Sequence, residues 1–288
     1  MPDEQSIERV AVVGGGLMGS GIAEVCARAD LDVVLVEQDS EAAAAAKLAL
    51  ESSIEEAVQR AKLSPERAEA ALGRVVASDD LADVEGCNAV IEAVVENEDV
   101  KREVFAELDS RLPDAKFLAT NTSSVPITKI AAATRRPESV LGLHFFNPAP
   151  VMPLVEVVNS IVTAPETLEA GREFVTGRLG KDTIDSQDRP GFVVNALLVP
   201  FLLSAIRMYE SGFASRESID RGMILGCAHP MGPLALSDLI GLDTLVAVAE
   251  SLYEQSRDPA AVVPPIVNRM VESKQLGRKS GRGFYDYD

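Results

Sequence analysis

Residues 140–158, VLGLHFFNPAPVMPLVEVV, contain two side chains whose types and spacing suit proton transfer. His144 ends an apolar run that predicts a buried strand, and Glu156 lies inside a second apolar run, residues 154–158. A turn rich in Pro and Asn separates the runs. Burying Glu156 is costly without a partner, and His144 across the turn can supply one. A carboxylate that fixes the tautomer of an imidazole and stabilises its protonated form makes a general base.

These two residues alone leave a second interpretation open. His144 is equally compatible with a structural histidine on a loop, and Glu156 with a glutamate on an edge strand. The motifs in the rest of the chain bear on the choice.

The composition is that of a globular protein with room for two domains. The chain has 288 residues, 47% of them hydrophobic and 25% charged. A net charge of −18 argues against a nucleic-acid partner. The acidic start, MPDEQSIERV, predicts no signal peptide, and the longest apolar stretch, residues 193–206, is too short to span a membrane. Three scattered cysteines predict neither disulfides nor a metal site, and fit the cytoplasm.

A glycine-rich turn near the start lies between two predicted strands. Residues 10–13 form the first strand, a helical pattern covers residues 22–29, and residues 33–36 form a second strand that ends at Glu37. This order within about thirty residues is that of a nucleotide-binding βαβ unit. A carboxylate at Glu37 can accept from both ribose hydroxyls and would repel a 2′-phosphate, which favours NAD over NADP.

The turn itself, GGGLMG, suits a pyrophosphate. Gly14 allows the tight turn, Gly16 lets the backbone approach the phosphates, and Gly19 lets helix and strand pack closely. Leu17 and Met18 of this turn begin the predicted helix, whose N-terminal N–H groups face the ligand. A glycine-rich turn without any ligand is the alternative.

A long alanine-rich stretch after the second strand predicts a helical hairpin. Its first helix is expected from an N-cap at Ser40 to about Lys62, and SPER from Ser64 begins the second. A third strand is predicted at residues 74–77. Arg60 and Lys62 bring positive charge to the far end of the hairpin, which suits an anionic ligand or merely complements the helix dipole.

Polar residues follow the next predicted strands. A fourth strand is expected at residues 89–95 and a fifth at residues 117–120. Glu96 follows the fourth strand. The segment NTSS, which contains Ser123, follows the fifth. Ligands of open α/β sheets bind outside the carboxyl ends of the strands, so these residues and His144 are expected at one edge. NTSS is also an ordinary turn or cap sequence.

The strand pattern ends near Ile184, and SQDRPG after it predicts a domain boundary. We therefore expect an α/β domain with a mostly parallel sheet over residues 1–187, and an all-α domain over residues 188–288. Residues 192–209 are nearly all apolar and predict a buried helix, which Pro200 should kink or restart.

Asn195 is the conspicuous polar residue of that helix. A buried amide needs partners, so Asn195 is either a structural hydrogen-bonding residue or a ligand contact. Further helices are predicted at residues 216–225, 234–240, 242–254 and 262–273. A small helical domain with broad apolar faces favours self-association, and we expect a homodimer through this domain.

Taken together, these motifs resemble the 3-hydroxyacyl-CoA dehydrogenase family. The matching segments cover both domains in order: GGGLMG at Gly14, AVVEN ending at Asn97, TNTSS at Thr120, GLHFFNPAPVMPLVEVV from Gly142, RPGFVVN ending at Asn195, and GRKSGRGFY from Gly277. The resemblance implies a Rossmann-type domain followed by a helical domain. It also implies reversible, NAD-dependent oxidation of a (3S)-hydroxyacyl-CoA to a 3-ketoacyl-CoA in fatty-acid or butanoate metabolism, with short-chain 3-hydroxybutyryl-CoA as substrate.

The resemblance further implies residue roles. His144 and Glu156 form the catalytic dyad, while Ser123 and Asn195 hydrogen-bond the substrate oxygen. Cofactor contacts fall on Gly14, Gly16, Leu17, Met18, Gly19, Glu37, Glu96, Lys101, Ser123, Asn147 and Lys279. Coenzyme A contacts fall on Ser53, Arg60 and Ser123. No metal is implied.

Three positions depart from the family pattern. Glu37 replaces the usual aspartate, which retains the preference for NAD with a slightly shifted ribose geometry. Arg60 replaces a lysine and can still bind phosphate through its planar fork. Ala196 replaces an arginine, so the contact which that arginine makes is absent here.

Two other functions stay open on the sequence. A related dehydrogenase could use the same dyad on a sugar acid or another free hydroxy acid, although Ser53 and Arg60 favour a CoA thioester. A non-enzymatic NAD(H)-binding protein, as lens crystallins of this family became, is disfavoured because all four catalytic positions are present.

Overall fold

Eight strands of the first half form one sheet in a computed structural model, which describes residues 7–287. The strands are β1 (Arg9–Val13), β2 (Asp32–Val36), β3 (Val75–Ser78), β4 (Ala89–Glu92), β5 (Phe117–Thr120), β6 (Val140–Phe145), β7 (Leu154–Asn159) and β8 (Asp182–Gln187). Their order across the sheet is β3-β2-β1-β4-β5-β6-β7-β8. The first six residues, which carry part of the signal-peptide prediction, lie outside the described range.

The strands from β1 to β6 run parallel, β7 is antiparallel to β6, and β8 is parallel to β7. Nearly every residue of the central strands is buried. Such continuous apolar runs are typical of parallel strands that helices cover on both faces. The prediction of a mostly parallel α/β sheet is confirmed.

In the described part of the chain, six α-helices connect these strands and five more form the second half. The first group is α1 (Leu17–Arg28), α2 (Ser40–Gln59), α3 (Pro65–Gly73), α4 (Glu98–Arg111), α5 (Ile127–Ala131) and α6 (Pro165–Glu173). The second is α7 (Val194–Glu210), α8 (Arg216–Cys227), α9 (Pro233–Ile240), α10 (Leu242–Ser256) and α11 (Pro265–Glu272). The predicted all-α C-terminal domain is confirmed. The helical hairpin of α2 and α3 is called the arm below.

The chain divides into two units, Met1–Arg189 and Pro190–Asp288. Asp188, which the sequence assigns to the second domain, belongs by its contacts to the first. Its carboxylate accepts hydrogen bonds from the N–H groups of Ile127 and Thr128 at 3.0 and 2.9 Å. These N–H groups open α5, so Asp188 supplies the carboxylate that a helix N-terminus favours.

Several predicted boundaries are wrong by a few residues, for local reasons. Asp39, not Ser40, caps α2, because its carboxylate accepts from the N–H of Ala42 at 2.8 Å. The arm's first helix ends at Gln59 rather than Lys62, since the chain turns at Ala61, whose φ is +54°. The helix predicted from residue 262 begins only at Pro265.

Two further strand and helix predictions also need correction. The fourth strand ends at Glu92 rather than at residue 95. Pro200 does not mark a restart, because α7 runs as one helix through it, and a kink at this residue stays a prediction. Proline removes one hydrogen bond from a helix. Packing of the buried apolar face of this 17-residue helix offsets that loss, so the helix continues through Pro200.

Each unit has its own apolar core. In the first, the sheet packs against its helices; the rings of Phe117 on β5 and Phe174 after α6 meet edge-on with centroids 5.6 Å apart. Burial of one such side chain contributes roughly 1.5–3 kcal/mol. In the second, α7 supplies Leu202, Leu203 and Ile206, all fully buried, to a core shared with α9 and α10. The first core includes residues of β6 and β7, the strands that carry His144 and Glu156.

Candidate active site

His144 and Glu156 lie directly opposite each other on β6 and β7. His144 Nδ1 and Glu156 Oε2 are 2.6 Å apart, and the two residues are 3% and 0% exposed. The ring of Phe146 packs edge-on against the imidazole with centroids 4.8 Å apart. Glu156 therefore fixes the ring in orientation and, as the acceptor at Nδ1, leaves Nε2 to exchange a proton. The strand β7 lies between β6 and β8, so the edge-strand alternative for Glu156 is wrong.

The other imidazole nitrogen faces Ser123. Ser123 Oγ lies 3.0 Å from His144 Nε2, although the two residues are on different strand ends. Ser123 follows β5, which is parallel to β6, so both carboxyl ends reach the same edge of the sheet. The buried amide of Asn121 joins these ends, because its Oδ1 accepts from Phe145 N at 2.8 Å. A hydroxyl, an imidazole and a carboxylate thus form one continuous line of hydrogen bonds.

Glu96 holds the turn that carries Ser123. Its Oε1 accepts from the N–H groups of Ser123 and Ser124 at 3.0 and 2.9 Å, and from the hydroxyls of Thr122 and Ser124. Burial would raise the pKa of Glu96. The nearby charge of Lys101 and the hydrogen bonds from Thr122 and Ser124 outweigh it, so the pKa of Glu96 is lowered. Glu96 is therefore an ionised clamp on this turn.

Lys101, expected to contact the cofactor, is 1% exposed in the structure. Its ammonium lies 2.7 Å from Glu92 Oε1 and 3.2 Å from Glu96 Oε2. Glu92, at the end of β4, is fully buried and is a site residue that the sequence analysis missed. The signal was available, since Glu92 follows the apolar run AVI just as Glu156 interrupts one.

The glycine turn has the shape that a dinucleotide needs. Gly14 has a φ of +95°, and a Cβ there would lie 2.6 Å from the backbone of Ala93. A Cβ on Gly19 would lie 1.7 Å from Gly14 O, so helix and strand approach too closely for any side chain. Among residues 7–287, and apart from the chain neighbours of Gly16, no atom lies within 4 Å of a Cβ built on Gly16, and no side chain there caps α1. The open helix N-terminus suits phosphate oxygens, and these residues fit NAD.

Glu37 stands just after β2, beside this turn. Its Oε1 accepts from Gly15 N at 2.6 Å and its Oε2 from Gln38 N at 3.0 Å. The carboxylate is thus fixed next to the glycine turn, and the end of the second strand is where an acidic residue meets the ribose in nucleotide-binding βαβ units. Leu17 and Met18 begin α1 at the same place.

Asn147 lies in the turn between β6 and β7, where its side chain is exposed. Lys181 shapes this turn, because its ammonium donates to the carbonyls of Ala149 and Met152 at 2.8 and 2.6 Å. Burial and the charge of Arg28 lower the pKa of Lys181. No sequence pattern indicates this contact, since Lys181 is remote in the chain from Asn147.

The two expected coenzyme A contacts lie on the arm. Ser53 is a half-buried residue of α2, and Arg60 ends that helix as its C-cap. The guanidinium of Arg60 forms an ion pair with Glu56, and both side chains are exposed. An exposed ion pair is weak, so Arg60 can exchange Glu56 for a phosphate.

Asn195 and Lys279 belong to the second unit. Asn195 is a half-buried residue in the first turn of α7, and Ala196 beside it is exposed. The ammonium of Lys279 donates to Asp243 Oδ2 at 2.7 Å. Asp238 ties the tail that carries Lys279 to α9, because its carboxylate accepts from the N–H groups of Phe284 and Tyr285.

Within the first unit, the structure brings one group of predicted residues together at the sheet edge. His144, Glu156 and Ser123 are in direct contact, and Glu96 and Lys101 contact them through the turn. The expected roles of all these residues in cofactor and substrate binding stay predictions.

Comparison with known proteins gives the family. A model described as "3-hydroxyacyl-CoA dehydrogenase, NAD binding domain" matches residues 9–189, and one described as "3-hydroxyacyl-CoA dehydrogenase, C-terminal domain" matches residues 191–287. The chain belongs to the 3-hydroxyacyl-CoA dehydrogenase family. It is an NAD-dependent oxidoreductase, and the resemblance inferred from the sequence is confirmed.

Relatives of this family resemble the chain over its whole length. A 3-hydroxybutyryl-CoA dehydrogenase of Mycobacterium tuberculosis is 52% identical over 98% of this chain and 99% of the relative. The human mitochondrial hydroxyacyl-coenzyme A dehydrogenase is 42% identical over 98% of this chain and 91% of its own length.

Solved structures of related proteins have the same fold over nearly the whole chain. The crystal structure of FadB2 from M. tuberculosis superposes with a TM-score of 0.96 at 52% identity, over 99% of this chain and 100% of that one. The (S)-3-hydroxybutyryl-CoA dehydrogenase PaaH1 from Ralstonia eutropha gives 0.90 at 42% identity, over 98% and 100%. These findings support the family's activity over a sugar-acid dehydrogenase or a crystallin.

Residues 7–287 lack the features of two other kinds of site. None of the helices there is both long and apolar enough to cross a membrane. Within the same range, His, Cys, Asp and Glu side chains do not gather into any group of three or more that could hold a metal ion.

Proposed function

We propose that the protein oxidises (3S)-hydroxyacyl-CoA thioesters reversibly to 3-ketoacyl-CoA, with 3-hydroxybutyryl-CoA as its short-chain substrate. The observation that carries the proposal is the line Ser123, His144, Glu156 at the edge of a sheet whose glycine turn fits NAD. Such a line supplies a positioned base for a hydroxyl proton. The names of the relatives in M. tuberculosis and R. eutropha support the choice of substrate.

In oxidation, neutral His144 takes the proton of the 3-hydroxyl at Nε2. Glu156 accepts the Nδ1–H throughout and stabilises the imidazolium that forms, as in other carboxylate-supported histidines. In the reverse direction the imidazolium returns this proton to the forming alkoxide. NAD, when bound, supplies the acceptor for the hydride that leaves C3.

The remaining predicted residues bind and orient. The hydroxyl of Ser123, already fixed 3.0 Å from Nε2, donates to the substrate oxygen and directs it at His144. Asn195 is proposed as a second donor to that oxygen. Glu37, Glu96, Lys101, Asn147 and Lys279 are proposed to bind the cofactor with the glycine turn, and Ser53 and Arg60 to bind coenzyme A.

We further propose that the protein is a cytoplasmic homodimer that associates through its helical domain. Large apolar side chains of that unit are exposed: Leu197, Phe213 and Leu225 are more than 70% accessible. Contiguous exposed apolar patches mark interaction surfaces, and we propose that these three side chains contribute to one. Sedimentation equilibrium tests the dimer, and Phe213→Asp with Leu225→Asp should shift it to monomer. The three free cysteines suit the reducing cytoplasm.

The deciding experiment is a steady-state assay with acetoacetyl-CoA and free acetoacetate, each with NADH. We expect efficient turnover of the thioester and at least a hundredfold lower kcat/KM for the free acid. Equal use of both substrates would contradict the CoA assignment. A chain-length series of 3-ketoacyl-CoAs then ranks the thioesters, and a preference for long acyl chains would refute the short-chain part alone.

A further inference from the structure

A buried ion pair lies beneath the proposed active site. Glu92 at the end of β4 and Lys101 on α4 are 0% and 1% exposed, and Oε1 and Nζ are 2.7 Å apart. Taking two opposite charges out of water is expensive, and apolar residues of similar volume often serve stability as well or better. The position of this pair at the carboxyl edge of the sheet suggests a role beyond stability.

Both oxygens of Glu92 are engaged. Besides Lys101, Oε1 accepts from the N–H of Val94 at 2.7 Å, and Oε2 accepts from the hydroxyl of Thr120 at 2.7 Å. Thr120 is the last residue of β5 and stands just before the turn that carries Ser123. Glu92 thus joins the ends of two neighbouring strands to α4.

Lys101 connects this pair to a second carboxylate. Its ammonium lies 3.2 Å from Glu96 Oε2 and 3.5 Å from Val94 O. The opposite oxygen of Glu96 accepts from the N–H groups of Ser123 and Ser124. One oxygen of Glu96 is therefore held by Lys101 while the other holds the turn.

The last contact of the series is the one between Ser123 Oγ and His144 Nε2 at 3.0 Å. The link from Glu96 to Ser123 is made through the main-chain N–H, which neither gains nor loses a proton. The series of contacts therefore determines where the Ser123 hydroxyl lies, and it transfers neither charge nor a proton. A misplacement of about 1 Å at a reacting group can cost about a hundredfold in rate.

We propose that Glu92 is a positioning residue that acts through Lys101. By holding the ammonium between two carboxylates, it keeps Glu96 clamped to residues 122–124 and so keeps the Ser123 hydroxyl in reach of His144. The inference rests on the proposed function, because that function assigns Ser123 and His144 their roles. Without the charge on Glu92, Lys101 has Glu96 as its one remaining carboxylate partner in this series and draws it away from the turn.

The test begins with Glu92→Gln, which keeps the side-chain volume and an acceptor for Thr120. We expect kcat for acetoacetyl-CoA reduction to fall by about tenfold or more, while KM for NADH changes less than kcat. Amide hydrogen exchange at Ser123 and Ser124 should accelerate. The exchange measurement does not depend on the substrate, so it tests the inference even if the proposed function fails.

Glu24→Gln is the matched control. Glu24 on α1 is also a glutamate 1% exposed, and its Oε1 lies 3.0 Å from Arg28 Nη1. Both variants remove the charge of a buried glutamate that has a cationic partner in the same unit, although Arg28 is 26% exposed and Lys101 1%, so both should lower the melting temperature. Slower turnover and faster exchange at the turn are expected in Glu92→Gln alone. Equal loss of kcat in the control would mean that general destabilisation, not positioning, is the cause.

A double variant covers the case in which Glu92→Gln fails to fold. Glu92→Gln with Lys101→Met removes both charges, which buried pairs tolerate better than the loss of one. Since Glu96 then lacks its ammonium, we expect lowered kcat and faster exchange at Ser123. In the Lys101→Met background, Glu92→Gln should add little further loss, because coupled residues are not additive. Wild-type kcat and wild-type exchange in the folded double variant would overturn the proposal.

Measurements on the wild-type protein distinguish failure of the proposed function from failure of the positioning role of Glu92. A wild-type protein that turns over no 3-ketoacyl-CoA refutes the proposed function, whatever the variants do. A wild-type protein that is active, with Glu92→Gln folded, fully active and unchanged in exchange, refutes the positioning role alone.

Discussion

His144 and Glu156 are directly paired residues of two antiparallel strands, with 2.6 Å between Nδ1 and Oε2. Residues directly opposite each other in an antiparallel pair project their side chains to the same face of the sheet. The pairing register therefore sets the contact, and a shift by one residue would turn Glu156 to the other face. The proposed dyad is consequently a property of the sheet rather than of a mobile loop.

The dyad predicts the outcome of two substitutions. His144→Gln should lower kcat by about a hundred- to ten-thousandfold, the usual contribution of general acid–base catalysis, while NADH affinity stays nearly unchanged. Glu156→Gln should cost a comparable factor, because the ring loses its charged support. Steady-state kinetics and NADH fluorescence titration measure both effects. The control is Glu103→Gln, an exposed glutamate of α4. Near-normal turnover in Glu156→Gln would make the carboxylate purely structural.

Glu37 predicts the choice of cofactor. Its carboxylate is held 2.6 Å from Gly15 N, beside the proposed ribose site, and placing two like charges together there costs several kcal/mol. The wild-type protein should prefer NADH over NADPH, and Glu37→Ala should reduce the ratio of the two kcat/KM values by about tenfold or more. Equal use of both cofactors by the unaltered protein would refute the role of Glu37.

Arg60 predicts a contact with the nucleotide part of coenzyme A. Arg60→Ala should raise KM for acetoacetyl-CoA several-fold and leave a truncated thioester without the nucleotide unaffected, because the lost interaction is with phosphate. Lys47→Ala removes another exposed cation of α2 and should change neither KM. An equal loss on both thioesters would place the phosphate contact elsewhere.

The lowered pKa of Glu96 predicts how stability depends on pH. Its folded-state pKa lies below the ordinary value of 4.5. Its contribution to the free energy of unfolding is therefore fully present above that ordinary value and is lost as the pH falls through the lowered one. The urea midpoint of the wild type should exceed that of Glu96→Gln at neutral pH, and the gap should close in acid. A gap that is constant from neutral to acid pH would show that the ionised clamp does not stabilise the fold.

The sequence was sufficient where the determining interactions are local. Apolar runs and turn residues predicted the strands and the fold class, since both depend on periodicity within a few residues. The contact between His144 and Glu156 was also within reach, because residues 146–153 join their strands directly and the apolar pattern of both strands sets the register. The glycine turn carries its own conformational requirement, which Gly14 meets with a positive φ.

Tertiary structure alone decided which residue caps α2 and which charged residues lie near this dyad. Ser40 and Asp39 are equally good caps by residue type, and the backbone at Asp39 selected it. Lys101 is an ordinary helical lysine in the sequence, yet the packing of α4 against β4 and β5 buries its ammonium between Glu92 and Glu96. Such contacts join separate elements whose approach depends on the whole core, so no local pattern encodes them. The sequence determined the chemistry that can occur at this sheet edge, and the packing determined which charges hold it in place.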